Sequence, residues 1–176
     1  MKIKEIFKTS LLEVFGFKPN IKFSKENENY IGEFFIDDRT YKIVIDLYDL
    51  NLPEQKLNAL DFGFQFIDKS GPTWKLTHFN KDASKIIGAT INSIGNFIKT
   101  LDVDIIIFGA NYENGDVDRR IKLYDKIASK YSVLYGFTSI YKIENNKGKY
   151  TVVSNKKLTD DEIKYIEENI DFSKRL

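Results

Sequence analysis

Apolar side chains recur along this chain with two periods, and each change of period marks an element. Ile3, Ile6, Phe7, Leu11, Val14 and Phe15 fall at three- and four-residue spacing, which predicts an amphipathic helix over 3–15. Gly16 offers a left-handed stop, and Pro19 lies just beyond it. A polar stretch, Ser24 to Asn29, leads to segments of period two. In Asn29 to Asp37, Tyr30, Phe34 and Ile36 face one way, with Ile31, Glu33 and Phe35 opposite. Asp38-Arg39 reads as a two-residue hairpin turn. Thr40 to Asp49 follows, with Tyr41, Ile43, Ile45 and Leu47 on one face. After a loop from Asn51 to Lys56, the segment Leu60 to Asp68 stacks Leu60, Phe62, Phe64 and Phe66 on one side. Lys69-Ser70-Gly71-Pro72 signals a turn, and Trp74 to Phe79 reads as a short fourth strand. Four sequential strands on short turns predict an antiparallel meander.

The period then becomes helical. Asp82 to Thr100 carries Ile87, Ile91, Ile94 and Ile98 in one stripe, with Asn80 or Asp82 as its cap. Val103 to Gly109 is continuously apolar at its centre, as suits a strand covered on both faces. Strand, helix, strand of this length implies a parallel, right-handed crossover. A second helix spans about Val117 to Tyr131. Ser132 to Glu144 and Lys149 to Ser154 form a hairpin around Asn145-Asn146-Lys147-Gly148. A last helix runs from Leu158 to Ile170, opened by a capping box of Thr159 and Glu162. The prediction is one mixed α+β domain over 1–176: an N-terminal helix (1–16), antiparallel strands (29–79), an α-β-α-β-β half (80–154) and a C-terminal helix (158–170).

Composition removes several chemistries. Among 176 residues there is no cysteine and one histidine, His78. Disulfide scaffolds, thiol nucleophiles and Cys- or His-rich metal sites are excluded. With 27 basic and 26 acidic side chains, net charge is +1, so no global field draws in nucleic acid or an anionic membrane. The charged N-terminus lacks the apolar core of a secretory signal, and no apolar run approaches the ~20 residues of a membrane helix. A cytoplasmic or virion location is expected. Lysine outnumbers arginine 23 to 4, and Ile, Lys and Asn together make 60 residues, a bias that follows AT-rich coding.

The remaining candidates are few. His78, near the end of the fourth strand, is a possible general base without a partner nearby in sequence. The glycines of Gly88 to Gly95 fall inside a helical pattern, so close helix–sheet packing is expected rather than phosphate cradling. Acids pair at Asp46/Asp49, Asp102/Asp104 and Asp116/Asp118, without the spacing of a metal nuclease. Arg119, Arg120, Lys122, Lys126 and Lys130 crowd the second helix and form a candidate surface for an acidic or phosphate-bearing partner.

Two resemblances rest on the second half. The strand Ile105-Ile-Ile-Phe-Gly-Ala, followed by Arg120-Ile-Lys-Leu-Tyr-Asp-Lys-Ile, resembles a pattern in small proteins of tailed bacteriophages. The order of meander, helix, strand, helix and hairpin resembles the GCN5-related N-acetyltransferase fold. Leu123-Tyr124, with Tyr135-Gly136-Phe137 ten residues on, is similar to that family's Leu-Tyr-x-x-x-Gly-Phe region. The resemblance implies Tyr124 as general acid toward a coenzyme A thiolate and acetyl-CoA as cofactor. The family's acyl-CoA loop, Gln/Arg-x-x-Gly-x-Gly/Ala, is replaced here by Asn80-Lys-Asp-Ala-Ser-Lys-Ile-Ile-Gly, without the glycine pair and with Asp82 where pyrophosphate would lie. The leading expectation is therefore a phage-type protein of acetyltransferase-like fold, without cofactor, that binds a protein partner in a virion or on a host factor and is open to homo-oligomerisation. A divergent N-acetyltransferase is the alternative, and a nucleic-acid-binding or -modifying protein the third.

Overall fold

The computed structural model describes residues 17–27, 29–73 and 79–169. The helix read over 3–15, His78 and most of the fourth strand lie outside them. The described elements are β1 (Phe23–Glu26), β2 (Asn29–Ile36), β3 (Arg39–Asn51), β4 (Lys56–Asp68), β5 (Gly71–Thr73), α1 (Phe79–Leu101), β6 (Ile105–Asn111), α2 (Val117–Tyr135), β7 (Ser139–Glu144), β8 (Gly148–Ser154) and α3 (Asp160–Asn169). The architecture is α+β. An eight-stranded open sheet has the order β1-β2-β3-β4-β6-β8-β7, with β5 pairing off the end of β4. Every ladder is antiparallel except β4 with β6, which is the parallel pair expected of the crossover.

The period-two pattern explains the two faces. Pairing of β3 with β4 sets Tyr41, Ile43 and Ile45 beside Phe66, Phe64 and Phe62. That face takes α1, through Ile86, Ile87, Ile91 and Ile94, and α2, through Leu123, Tyr124, Ile127 and Tyr131. On the opposite face, Ile166 of α3 packs with Leu57, Ala59, Ile105, Ile107, Tyr150 and Val152. Ile105 to Phe108 is buried on both faces, as its unbroken apolar run requires.

Several boundaries differ from the sequence reading, each for a physical reason. Strand β1 runs from Phe23 into the polar stretch Ser24 to Asn29; it is an outer strand whose last three side chains are exposed, so alternation could not reveal it. The β2–β3 turn is Asp37-Asp38 rather than Asp38-Arg39, with Asp37 at φ 54°. Thr40 to Asp49 extends to Asn51, and Leu60 to Asp68 extends back to Lys56, because Asn51 and Lys56 still pair. Gly71 and Pro72 belong to β5. Phe79, read as strand, lies within α1, so Asn80 and Asp82 are inside the helix rather than capping it. Ser132 to Tyr135, read as strand, continue α2 until Gly136 turns left-handed at φ 77°. The capping box is present: Thr159 N–H donates to Glu162 (2.9 Å) and Glu162 N–H to Thr159 Oγ1 (3.3 Å).

Two long-range contacts fix α1. Asp82, in its first turn, accepts from Arg39 Nε (2.6 Å), Arg39 Nη2 (2.8 Å) and the Tyr41 hydroxyl (2.5 Å). This ties the helix start to β3. Near the other end, Tyr135 of α2 lies so close to Gly95 that a Cβ there would meet its hydroxyl. The glycine serves helix–helix rather than the expected helix–sheet packing.

Burial by itself would raise the Asp82 carboxyl, but hydrogen bonds from Arg39 and then Tyr41 outweigh it and hold the group below its ordinary 3.8. The folded value lies under the unfolded one. The contribution is therefore complete above about pH 4 and lost as pH falls through the folded value. Between about pH 4 and pH 2 the urea midpoint should drop in the parent protein, and drop less in Asp82→Asn. Tyr41→Phe should cost about 1.5–3 kcal/mol at neutral pH by urea unfolding; no cost would reject the tie. Gly95→Ala inside a helix ordinarily gains about 1 kcal/mol. Here a loss is expected, partly recovered when Tyr135→Phe is added, and a simple gain would contradict the close approach.

Candidate functional site

Helix α2 turns Arg120, Leu123, Tyr124, Ile127, Ala128 and Tyr131 inward, the spacing of one helical face. Tyr124 meets the sheet where β4 and β6 part. Their ladder runs from Ala59/Ile105 to Phe62/Phe108. Beyond it, β4 continues beside β3, and β6 beside β8. The Tyr124 ring stacks on Phe108 at 5.6 Å and meets Phe62 and Phe64 edge-on at 6.3 and 6.0 Å. No surface of Tyr124 is exposed. Burial raises the phenol's pKa, and the charge of the adjacent Arg120 and a hydrogen bond from it oppose this without cancelling it. A general acid must come within about 3 Å of the atom it protonates. A phenol sealed among three phenylalanine rings reaches no ligand in this arrangement.

The structure divides the basic set. Arg120 turns into the core, 2% exposed, with its guanidinium 5.9 Å from the centre of the Phe64 ring. It is therefore not part of the outer surface on which the sequence placed it. Arg119, Lys122 and Lys126 are exposed and Lys130 is half-buried. Arg119 approaches Asp116 at 3.9 Å, and Lys122 and Lys126 form no ion pair with a described residue. The acidic residues of α2 are held by the sheet instead. Asp118 binds Lys149 at 3.0 Å, and Asp125 binds Lys142 and accepts from Thr151 Oγ1 at 2.7 Å.

The other acids are dispersed. Asp49 pairs with Lys56 at 2.6 Å and Asp104 with Lys156 at 3.5 Å. Asp46 stands opposite Asp61 on β4, and Asp102 takes φ 47° after α1. Among the described residues, no three His, Cys, Asp or Glu side chains gather where a metal ion could be held. Sequence reading missed the Arg39–Asp82–Tyr41 cluster, whose members lie 41 and 43 positions apart. It also missed an open groove of about 380 Å³ floored by Leu47, Ala59 and Val103, with Asp49 and Asn58 on its lining. Neither has a local spacing that could have disclosed it.

Compared with known protein families, curated proteins and solved structures, the chain matches none. No described helix is long and apolar enough to cross a membrane.

The burial of Tyr124 gives a sharp expectation. Tyr124→Phe keeps the ring contacts and removes only the hydroxyl, so thermal and urea unfolding should show a loss well below that of the alanine variant. Tyr124→Ala should cost about 3–5 kcal/mol. A phenylalanine variant as damaged as the alanine one would contradict this.

Proposed function

We propose that this protein is a non-catalytic member of the acetyltransferase-like architecture that works by binding another macromolecule. The observation that carries the reading is the complete burial of Tyr124, the one side chain with a template for acyl-transfer chemistry. The fold half of the proposal is supported by the order of elements. A meander, a helical crossover to a parallel neighbour, a second helix and a final hairpin follow the order implied by the sequence resemblance. Asp82 supports the loss of chemistry. It places a carboxylate in the first turn of α1, where a bound pyrophosphate would need the positive helix end, and it is already held by Arg39 and Tyr41. What remains for function is the outer surface, with the basic row of α2 and the acidic helix α3 as its charged helical features. A virion component or an antagonist of a host factor, the roles drawn from the phage-protein resemblance, fits a chain that acts by contact.

Thermal unfolding with acetyl-CoA tests the reading. A ligand present at 100 times its dissociation constant adds about 2.7 kcal/mol of stability. The melting temperature should stay unchanged with about 1 mM acetyl-CoA, an amount that saturates a cofactor of micromolar affinity. A rise of several degrees would overturn the proposal in favour of the acetyltransferase.

A further inference from the structure

Resting on the contact-based reading above, we propose that the partner of α2 is a second copy of the same chain, docked through α3. The two helices carry opposite charge. Within α2 there are five basic residues against two acids, and within α3 five acids against one lysine. Both acids of α2 are engaged by strand lysines, which leaves Arg119, Lys122 and Lys126 as an exposed basic row at spacings of three and four. On α3, Asp160, Asp161 and Glu167 are exposed and form no ion pair with a described residue, and Glu168 reaches Lys164 at a loose 3.9 Å.

Both helices also place charge against their own dipoles. Arg119 lies in the first turn of α2, at the positive end. Glu167 and Glu168 lie in the last turn of α3, at the negative end, where no basic residue answers them. Each arrangement is unfavourable in the isolated molecule. Contact between the start of one α2 and the end of another α3 relieves both costs together. Apolar side chains flank the charges: Val133 and Leu134 at the end of α2, 72% and 54% exposed, and Tyr165 on α3. The net charge of +1 leaves little long-range repulsion between copies.

The geometry of such an assembly follows from the sheet. Helix α2 packs on one face and α3 on the other. Joining α2 of one copy to α3 of the next leaves the reciprocal pair unused, so the contact is head-to-tail and propagates instead of closing as a two-fold dimer.

Sedimentation velocity of the full chain over about 10–500 µM, at about 20 mM and about 500 mM salt, decides the matter. At low salt the weight-average mass should climb past that of a dimer, and at high salt it should return to the monomer. A Lys122→Glu/Lys126→Glu variant and a Glu167→Lys/Glu168→Lys variant should each remain monomeric at low salt while keeping the parent circular dichroism. Mixed in equal amounts, they should assemble again, because reversed α2 now complements reversed α3. If a reversal prevents folding, the neutral Lys122→Gln/Lys126→Gln pair should still weaken assembly at least about tenfold. A parent protein that stays monomeric at low salt, a mass that levels off at a dimer, or a mixture that fails to assemble would each overturn the proposal. The function reading fails on a different result, acetyl-CoA binding, so the two are separable.

Discussion

A short parallel ladder joins the two halves of the sheet. Four register pairs, Ala59 to Phe62 on β4 against Ile105 to Phe108 on β6, connect the meander to the C-terminal strands. All eight residues are buried, and the two strands then separate toward different neighbours. Parallel pairing is slightly weaker per residue than antiparallel, and its partners arrive only after the α1 crossover is complete. So brief a ladder depends on side chains that span the seam. Phe62 meets Phe108 at 5.7 Å across it, and Tyr124 touches Phe62 and Phe64 on one side and Phe108 on the other. The tyrosine that resembles a catalytic acid is, in this structure, a brace.

On the proposed reading, function lies on the outer surface. A phenol held in the core stabilises the seam through ring contacts and stays protonated. The charge that could have faced a ligand at the start of α1 is occupied by Arg39 and Tyr41. The surface keeps its own electrostatic order. The sheet's lysines take up the acids of α2, and the basic row on the outer side of that helix is left without an internal purpose. Helices α2 and α3 both carry charge against their dipoles, and departures from local consistency are where a chain's function is to be sought.

Much of the fold is legible in the sequence because it is local. The alternation of Leu60, Phe62, Phe64 and Phe66, the apolar run Ile105 to Phe108 and the Thr159–Glu162 box each state their structure within a few residues. The misses have the same origin. Strand β1 is mostly exposed because it lies at the sheet's edge, so its local hairpin with β2 leaves no alternation to read. Ser132 to Tyr135 read as strand because valine and tyrosine suit strands, yet Tyr135 packs over Gly95 of α1 within the continuing helix. The inward turn of Arg120 was hidden among its basic neighbours, since adjacent positions on a helix face different directions. The resemblance implied Tyr124 as a general acid, but no spacing discloses whether a hydroxyl meets solvent or three rings.

The central claim is that Tyr124 is sealed within the seam, and its ionisation tests this most directly. Ultraviolet titration of phenolate formation can be compared between the parent protein and Tyr124→Phe. The account predicts that the two curves coincide at every pH below alkaline unfolding and differ by one tyrosine only once the chain unfolds. A difference of one phenolate near the ordinary tyrosine value, about pH 10, in the folded protein would contradict it.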